Sequence, residues 1–164
     1  MRRLKLLFGS LAMLACVPVL AGGFGVADLL RVQTVSDPAF SPDGRMLVYS
    51  VSVADTALDE ETSDLWTVPL NGGKSTRITQ TKHSEWQPVF GPGGRTLFFL
   101  SDADKKGSTQ VWRMPIGGKA EAVTRFSEDV EDFALSPDGT ALAVIVRDAQ
   151  FKPGTAKPIN PPPL

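Results

Sequence analysis

The chain has 164 residues, 42% of them hydrophobic, with 17 Lys and Arg against 18 Asp and Glu. Size and composition are those of one ordinary globular domain. The near balance of charge, with no basic run, argues against nucleic acid or an anionic membrane as partner.

Residues 1–21 read as a secretory signal peptide. Arg2, Arg3 and Lys5 form a basic start, Leu6 to Leu20 is mostly apolar, and Val19-Leu20-Ala21 offers small residues before a cut at Gly22. Loss of the three basic residues takes Lys and Arg from 17 to 14 against 18 acids, a net charge of −4. Met13-Leu14-Ala15-Cys16 resembles a lipoprotein box, so anchoring at Cys16 is the alternative. The apolar run continues through Val17-Pro18-Val19-Leu20-Ala21, where a lipoprotein turns polar, and ordinary cleavage is expected. The only cysteine then leaves with the signal, and no disulfide or thiol chemistry is expected of the exported, periplasmic or secreted chain. No membrane association is expected after cleavage.

Residues 22–33 are expected to be a short lead-in packing on the first blade, with one or two helical turns around Asp28 as the alternative. One stretch is then written three times. Pro38-Ala39-Phe40-Ser41-Pro42-Asp43-Gly44-Arg45 leads into Met46-Leu47-Val48-Tyr49. Phe90-Gly91-Pro92-Gly93-Gly94-Arg95 and Phe133-Ala134-Leu135-Ser136-Pro137-Asp138-Gly139 repeat it before similar apolar runs. Pro presets φ near −65° inside the turn, Asp suits the next place, and Gly accepts the positive φ that closes a β-hairpin.

The period confirms a repeat. Pro42 to Pro92 is 50 residues and Pro92 to Pro137 is 45. Leu65-Trp66 answers Val111-Trp112 at 46; Asn71-Gly72-Gly73-Lys74 answers Ile116-Gly117-Gly118-Lys119 at 45; Arg77-Ile78-Thr79 answers Ala122-Val123-Thr124 at 45. Four short strands per repeat are the composition of one propeller blade. The predicted fold is all-β: a partial β-propeller of about two and a half four-stranded blades after the signal peptide, with blades at 34–79, 85–124 and, in part, 130–148. Ala54 to Ser63 reads as a polar surface loop, and Asn71-Gly72 as a tight turn with positive φ at both residues. The Pro-rich tail, 149–164, is expected to be extended or disordered. Phe40, Trp66, Phe90, Trp112 and Phe133 are the expected blade-packing residues. Ser41, Pro42, Asp43, Gly44, Pro92, Gly93, Gly94, Ser136, Pro137, Asp138 and Gly139 are expected to build the turns.

Chemistry-bearing groups are sparse. Asp102-Ala103-Asp104-Lys105-Lys106-Gly107 has Lys106 where a calcium loop needs an oxygen, and Arg113 where it needs a bidentate Glu. His83 with Glu85 is too small a set for a metal. Asp59, Glu60, Glu61 and Asp64 can in principle hold a peptide's free amine, but a solvated loop is the better reading. The Gly-Gly pairs join strand to strand, with no helix N-terminus to receive a phosphate. No cofactor, metal site or catalytic residue is expected.

The repeated hairpins, with Leu-Trp, Gly-Gly and Ile-Thr downstream, resemble TolB-like, WD-like propeller repeats. The opening from Asp28 through Asp43 resembles the start of secreted bacterial peptidases of the prolyl oligopeptidase family, of dipeptidyl- and acylaminoacyl-peptidase type. That resemblance implies a propeller that covers an α/β-hydrolase domain and filters peptide substrates by size. The family's nucleophile needs a Gly-x-Ser-x-Gly elbow followed by Asp and His. No such elbow occurs here, and His83 is the sole histidine. The expectation is a propeller fragment truncated before the catalytic domain, not hydrolytic by itself and meeting peptide substrates only within a full-length peptidase. The alternative is a stand-alone periplasmic TolB-like module. It would associate with itself or a protein partner through open blade edges.

Overall fold

The computed structural model describes residues 25–29, 31–55, 60–104 and 107–147. The signal peptide with Cys16, residues 22–24 of the lead-in, and the Pro-rich tail lie outside the described residues. One helical turn, α1 (Val26–Leu29), precedes ten strands. Asp28 caps it, its carboxylate accepting from Gly25 N at 2.9 Å. Among the described residues no helix is long and apolar enough to cross a membrane.

The strands form three antiparallel sheets in chain order. The first holds β1 (Gln33–Phe40), β2 (Met46–Asp55), β3 (Glu60–Pro69) and β4 (Thr76–Arg77). The second holds β5 (Glu85–Phe90), β6 (Thr96–Ser101), β7 (Gln110–Pro115) and β8 (Glu121–Ala122). The third pairs β9 (Val130–Leu135) with β10 (Leu142–Val146). The architecture is all-β and propeller-like, and its arc is open.

Two local expectations are corrected. Ala54, Asp55 and Glu60–Ser63 are strand and not loop: β2 runs to Asp55 and β3 starts at Glu60, in register from Asp55↔Glu60 to Met46↔Pro69. Alternation of Val51, Val53 and Thr62 with polar residues sustains the ladder past the point where acidic composition suggested a break. Asn71 does not take positive φ; Gly72 (95°) and Gly73 (159°) do. Residues 70–75 separate β3 from β4, so the connection is too long for a two-residue turn.

Two apolar clusters hold the blades together. Val48 and Leu65 of the first sheet pack with Leu97, Phe99 and Met114 of the second, all at most 2% exposed. Leu100 and Val111 of the second sheet pack with Val130 and Phe133 of the third. Each cluster spans a junction, so every blade buries its face against a neighbour, as stacked repeats do. The first strand of each blade leans back on the blade before it: Phe90 packs against the first cluster and Phe133 belongs to the second. Phe40 occupies the repeat position of Phe90, two residues before the turn proline, and is 64% exposed. The expectation that Phe40 packs the blade is therefore corrected. Its packing partner is a preceding blade, and among the described residues there is none.

Candidate functional site

The sequence motif itself builds the hairpin tips. Ser41 Oγ donates to Asp43 Oδ1 at 2.6 Å and accepts from Arg45 N at 3.1 Å and Met46 N at 2.9 Å. Ser136 repeats this, donating to Asp138 Oδ1 at 2.6 Å and accepting from Ala141 N at 2.9 Å. These bonds stabilise the ionised carboxyl. The Ser136 hydroxyl, then the Thr140 amide and hydroxyl, hold Asp138 down to about 2, and Asp43 is lowered by Ser41 in the same way. Gly91 and Gly93 stand where the other two turns have Ser and Asp, so that tip is closed by backbone alone, Gly94 N to Gly91 O at 3.0 Å.

The tips stack across the junctions. A Cβ on Gly94 would lie 3.1 Å from Pro42 Cδ, and one on Gly139 only 2.7 Å from Pro92 Cδ. Pro137 lines the same shallow groove as Pro42, Pro92 and Gly93. The turn residues chosen for their dihedrals thus also set how closely successive blades approach. Of the remaining expected packing residues, Trp112 packs against the first cluster, and Trp66 is half-buried opposite Tyr49. Trp86, outside that repeated pair, packs against the second cluster.

A feature that motif reading missed runs along the first strands. Register shifts fall between Ser36 and Ala39 in β1, Trp86 and Val89 in β5, and Ile145 and Val146 opposite β9. At the first two bulges Asp37 and Gln87 adopt positive φ, 51° and 52°, a conformation costly for non-glycine residues. The bulges aim three side chains into one line. Gln87 N donates to Asp37 Oδ2 at 3.4 Å, and Gln87 Nε2 donates to Asp132 Oδ1 at 2.5 Å. Asp132 also accepts from Phe133 N at 2.7 Å. This row of carboxylate, amide and carboxylate lies on the first strands of three successive sheets, the strands that run nearest the axis in a propeller. The signal was present: Asp37-Pro38 and Gln87-Pro88 recur 50 residues apart.

At the outer end of the first junction a carboxyl is buried. Glu85 is 2% exposed. Its Oε1 accepts from Thr81 Oγ1 at 2.6 Å, and its Oε2 has no partner among the described residues. Burial pushes the Glu85 carboxyl up, and the charges of Asp64 and Asp102 add to this against the opposing Thr81 and Thr79 bonds. Ser63 Oγ donates to the Glu85 carbonyl at 2.9 Å, tying β3 to β5. Gln110 ties β7 to the chain leading into the third blade. Its Oε1 accepts from Thr124 Oγ1 at 2.8 Å and Phe126 N at 2.9 Å, while its Nε2 donates to the Phe126 and Glu128 carbonyls.

His83 lies in the loop before β5 with Nδ1 3.6 Å from Asp102 Oδ1. No hydroxyl is bonded to its ring among the described residues, so no nucleophile–base pair is assembled there. Asp64 is in β3, paired with Arg77 and accepting from Thr79 Oγ1, and so is committed to the sheet and not free for an amine. No group of three metal-ligating side chains occurs among the described residues. Turn stacks, an axial polar row and inter-blade ties are binding and scaffolding features.

Four-stranded antiparallel units at a 45- to 50-residue period, each docked on the next, define a propeller arc. The chain belongs to the TolB β-propeller domain family, which it matches over residues 30–157. It is 30% identical over 119 residues to an uncharacterized peptidase, YuxL, of Bacillus subtilis, covering 73% of this chain and 18% of that protein. It is 35% identical over 82 residues to dipeptidyl-peptidase 5 of Porphyromonas gingivalis, covering 50% of this chain and 12% of that one. The chain therefore spans less than a fifth of the length of either relative. A solved acylaminoacyl peptidase superposes with a TM-score of 0.63 at 15% identity, over 82% of this chain and 21% of that one. At that identity the likeness concerns the fold.

Proposed function

We propose that this chain is propeller sequence of an exported peptidase of the prolyl oligopeptidase type, and that its role is to admit peptide substrates and dock on a hydrolase domain. The observation that supports this reading is that the two relatives described above, at 30% and 35% identity, are named as peptidases and match through this propeller region. The axial row of Asp37, Gln87 and Asp132 supplies hydrogen-bonding groups where a peptide would pass. Export rests on the leader at 1–21. The chain alone brings no hydrolytic chemistry to the complex.

The test is a chimaera in which this chain replaces the matching segment of the Bacillus relative. The chimaera is expected to cleave a short chromogenic peptide and to spare a folded protein, while this chain alone cleaves neither. A folded chimaera without activity, or hydrolysis by the chain alone, sinks the reading.

A second reading, a stand-alone interaction module, is favoured by one observation. Val32, Val35 and Phe40 on the leading blade and Ile145 at the trailing one are all more than half exposed. It predicts a defined oligomer with a cooperative β-sheet melt in size-exclusion with light scattering and circular dichroism. A monomer or aggregate would remove it.

A further inference from the structure

The second blade differs from the first at its outer end. The β2–β3 ladder continues to Asp55↔Glu60, whereas the β6–β7 ladder stops at Ser101↔Gln110. Residues 102–104 and 107–109 lie outside the sheet, and a groove of about 680 Å³ opens beside Trp112. Ala122, Arg125 and Phe126 form its other wall, with Asp104 and Glu121 at its rim. Phe126 is 42% exposed, and the Trp112 indole N–H has no acceptor among the described residues.

The charges in this groove are not equivalent. Glu121 is bound by Arg113 through Nε at 2.7 Å and Nη2 at 2.6 Å. Asp104 Oδ2 accepts from Ser108 Oγ at 3.3 Å. No hydrogen bond or ion pair engages Arg125 among the described residues. The groove therefore presents two aromatic side chains and one guanidinium that makes no hydrogen bond or ion pair among the described residues. The first blade offers no copy of it. Forty-five residues earlier, Gln80 and Thr81 stand at the positions of Arg125 and Phe126, and Thr81 is occupied by Glu85.

We propose that this groove binds the C-terminal end of a peptide, with Arg125 holding the terminal carboxylate and Trp112 and Phe126 holding an apolar last side chain. Carboxylate and side chain must arrive close together, because Arg125 and Phe126 are consecutive. The smallest peptide unit bearing both on one Cα is an apolar C-terminal residue. A guanidinium suits a carboxylate because its planar fork donates two parallel bonds. The β8 strand is outermost in its sheet, so its second edge is open to main-chain bonds from an extended peptide. This site is independent of the peptidase reading, since it needs neither a hydrolase domain nor the axial row.

The test is isothermal titration of the full chain with acetyl-Ala-Ala-Phe bearing a free carboxylate, with its C-terminal amide, and with acetyl-Ala-Glu-Ala-Phe-amide, whose carboxylate is on a side chain. Saturable binding of the free acid is expected, with both amides at least about tenfold weaker, the loss of one charge-assisted bond. Arg125→Gln is expected to lose the same factor and to abolish the difference between acid and amide. Arg125 is exposed, so its circular dichroism melt should not move. Phe126→Ala should weaken acid and amide alike. Equal binding of acid and amide, an unchanged affinity in Arg125→Gln, preference for the side-chain carboxylate, or no binding of the acid would each overturn the proposal.

Discussion

Phe40, Phe90 and Phe133, each on the first strand of its blade, give the sharpest test of how the blades support one another. Phe133 is 5% exposed within the second cluster, Phe90 is half-buried against the first, and Phe40 is 64% exposed. Fully burying a Phe side chain is worth about 1.5–3 kcal/mol by transfer, and truncation to Ala in a core costs about 3–5 kcal/mol once the cavity is included. Phe133→Ala should therefore cost about 3–5 kcal/mol. Phe40 keeps only about a third of its burial and leaves no cavity, so Phe40→Ala should cost about 0.5–1 kcal/mol. Phe90→Ala should fall between. Urea unfolding monitored by circular dichroism reads these values as midpoint shifts. With a slope of about 1–3 kcal/mol per molar urea, Phe133→Ala should lower the midpoint by about 1–5 M. If Phe40→Ala proves as costly as Phe133→Ala, the leading face is covered by something else, and the account of an uncovered junction fails. Were the same chain extended by further blades that close on β1, Phe40→Ala should rise toward the cost of Phe133→Ala.

The stacked tips make a second comparison. Gly44 and Gly139 have nearly equal φ, 66° and 70°, but a Cβ on Gly44 meets nothing within 4 Å, whereas one on Gly139 lies 2.7 Å from Pro92 Cδ. Gly44→Ala should cost about 1–2 kcal/mol, the left-handed penalty alone, and Gly139→Ala clearly more; equal midpoints in thermal melts would deny that the tips touch. Asp138 should titrate near 2 by NMR and return toward 3.8 in Ser136→Ala. Because folding depresses this carboxyl, its support is complete above about pH 4 and is lost as pH falls through about 2; an unmoved titration in the variant would remove the Ser136 hydroxyl as cause. Glu85 runs the other way. Its raised value means that its contribution is complete below the ordinary carboxyl range and is lost as pH rises through the folded value. Glu85→Gln keeps an acceptor for Thr81 and should stabilise the chain at pH 7, with the gain shrinking as pH falls into the ordinary carboxyl range. A loss of stability at pH 7 would show that the charged form is needed.

What the sequence determined by itself is what repeats locally. Ser41-Pro42-Asp43-Gly44 and its copies specify their turns through a fixed proline φ, a short hydroxyl–carboxylate bond and a glycine in the left-handed region, all within a few residues. Recurrence at 45–50 residues then implied stacked four-stranded blades, because no blade buries its own face. Only the tertiary structure decided which apolar residues are covered. Phe40 and Phe90 stand alike in the chain, two residues before their turn prolines, and the difference between an exposed and a half-buried ring comes from a neighbour that one has and the other lacks. The axial row of Asp37, Gln87 and Asp132 depends on bulges whose register is set by strand pairing, and the Arg125 groove on where the β6–β7 ladder ends. Local dihedral chemistry is carried by adjacent residues. Burial and the meeting of side chains are carried by residues tens of positions apart, and those the folded blades alone bring together.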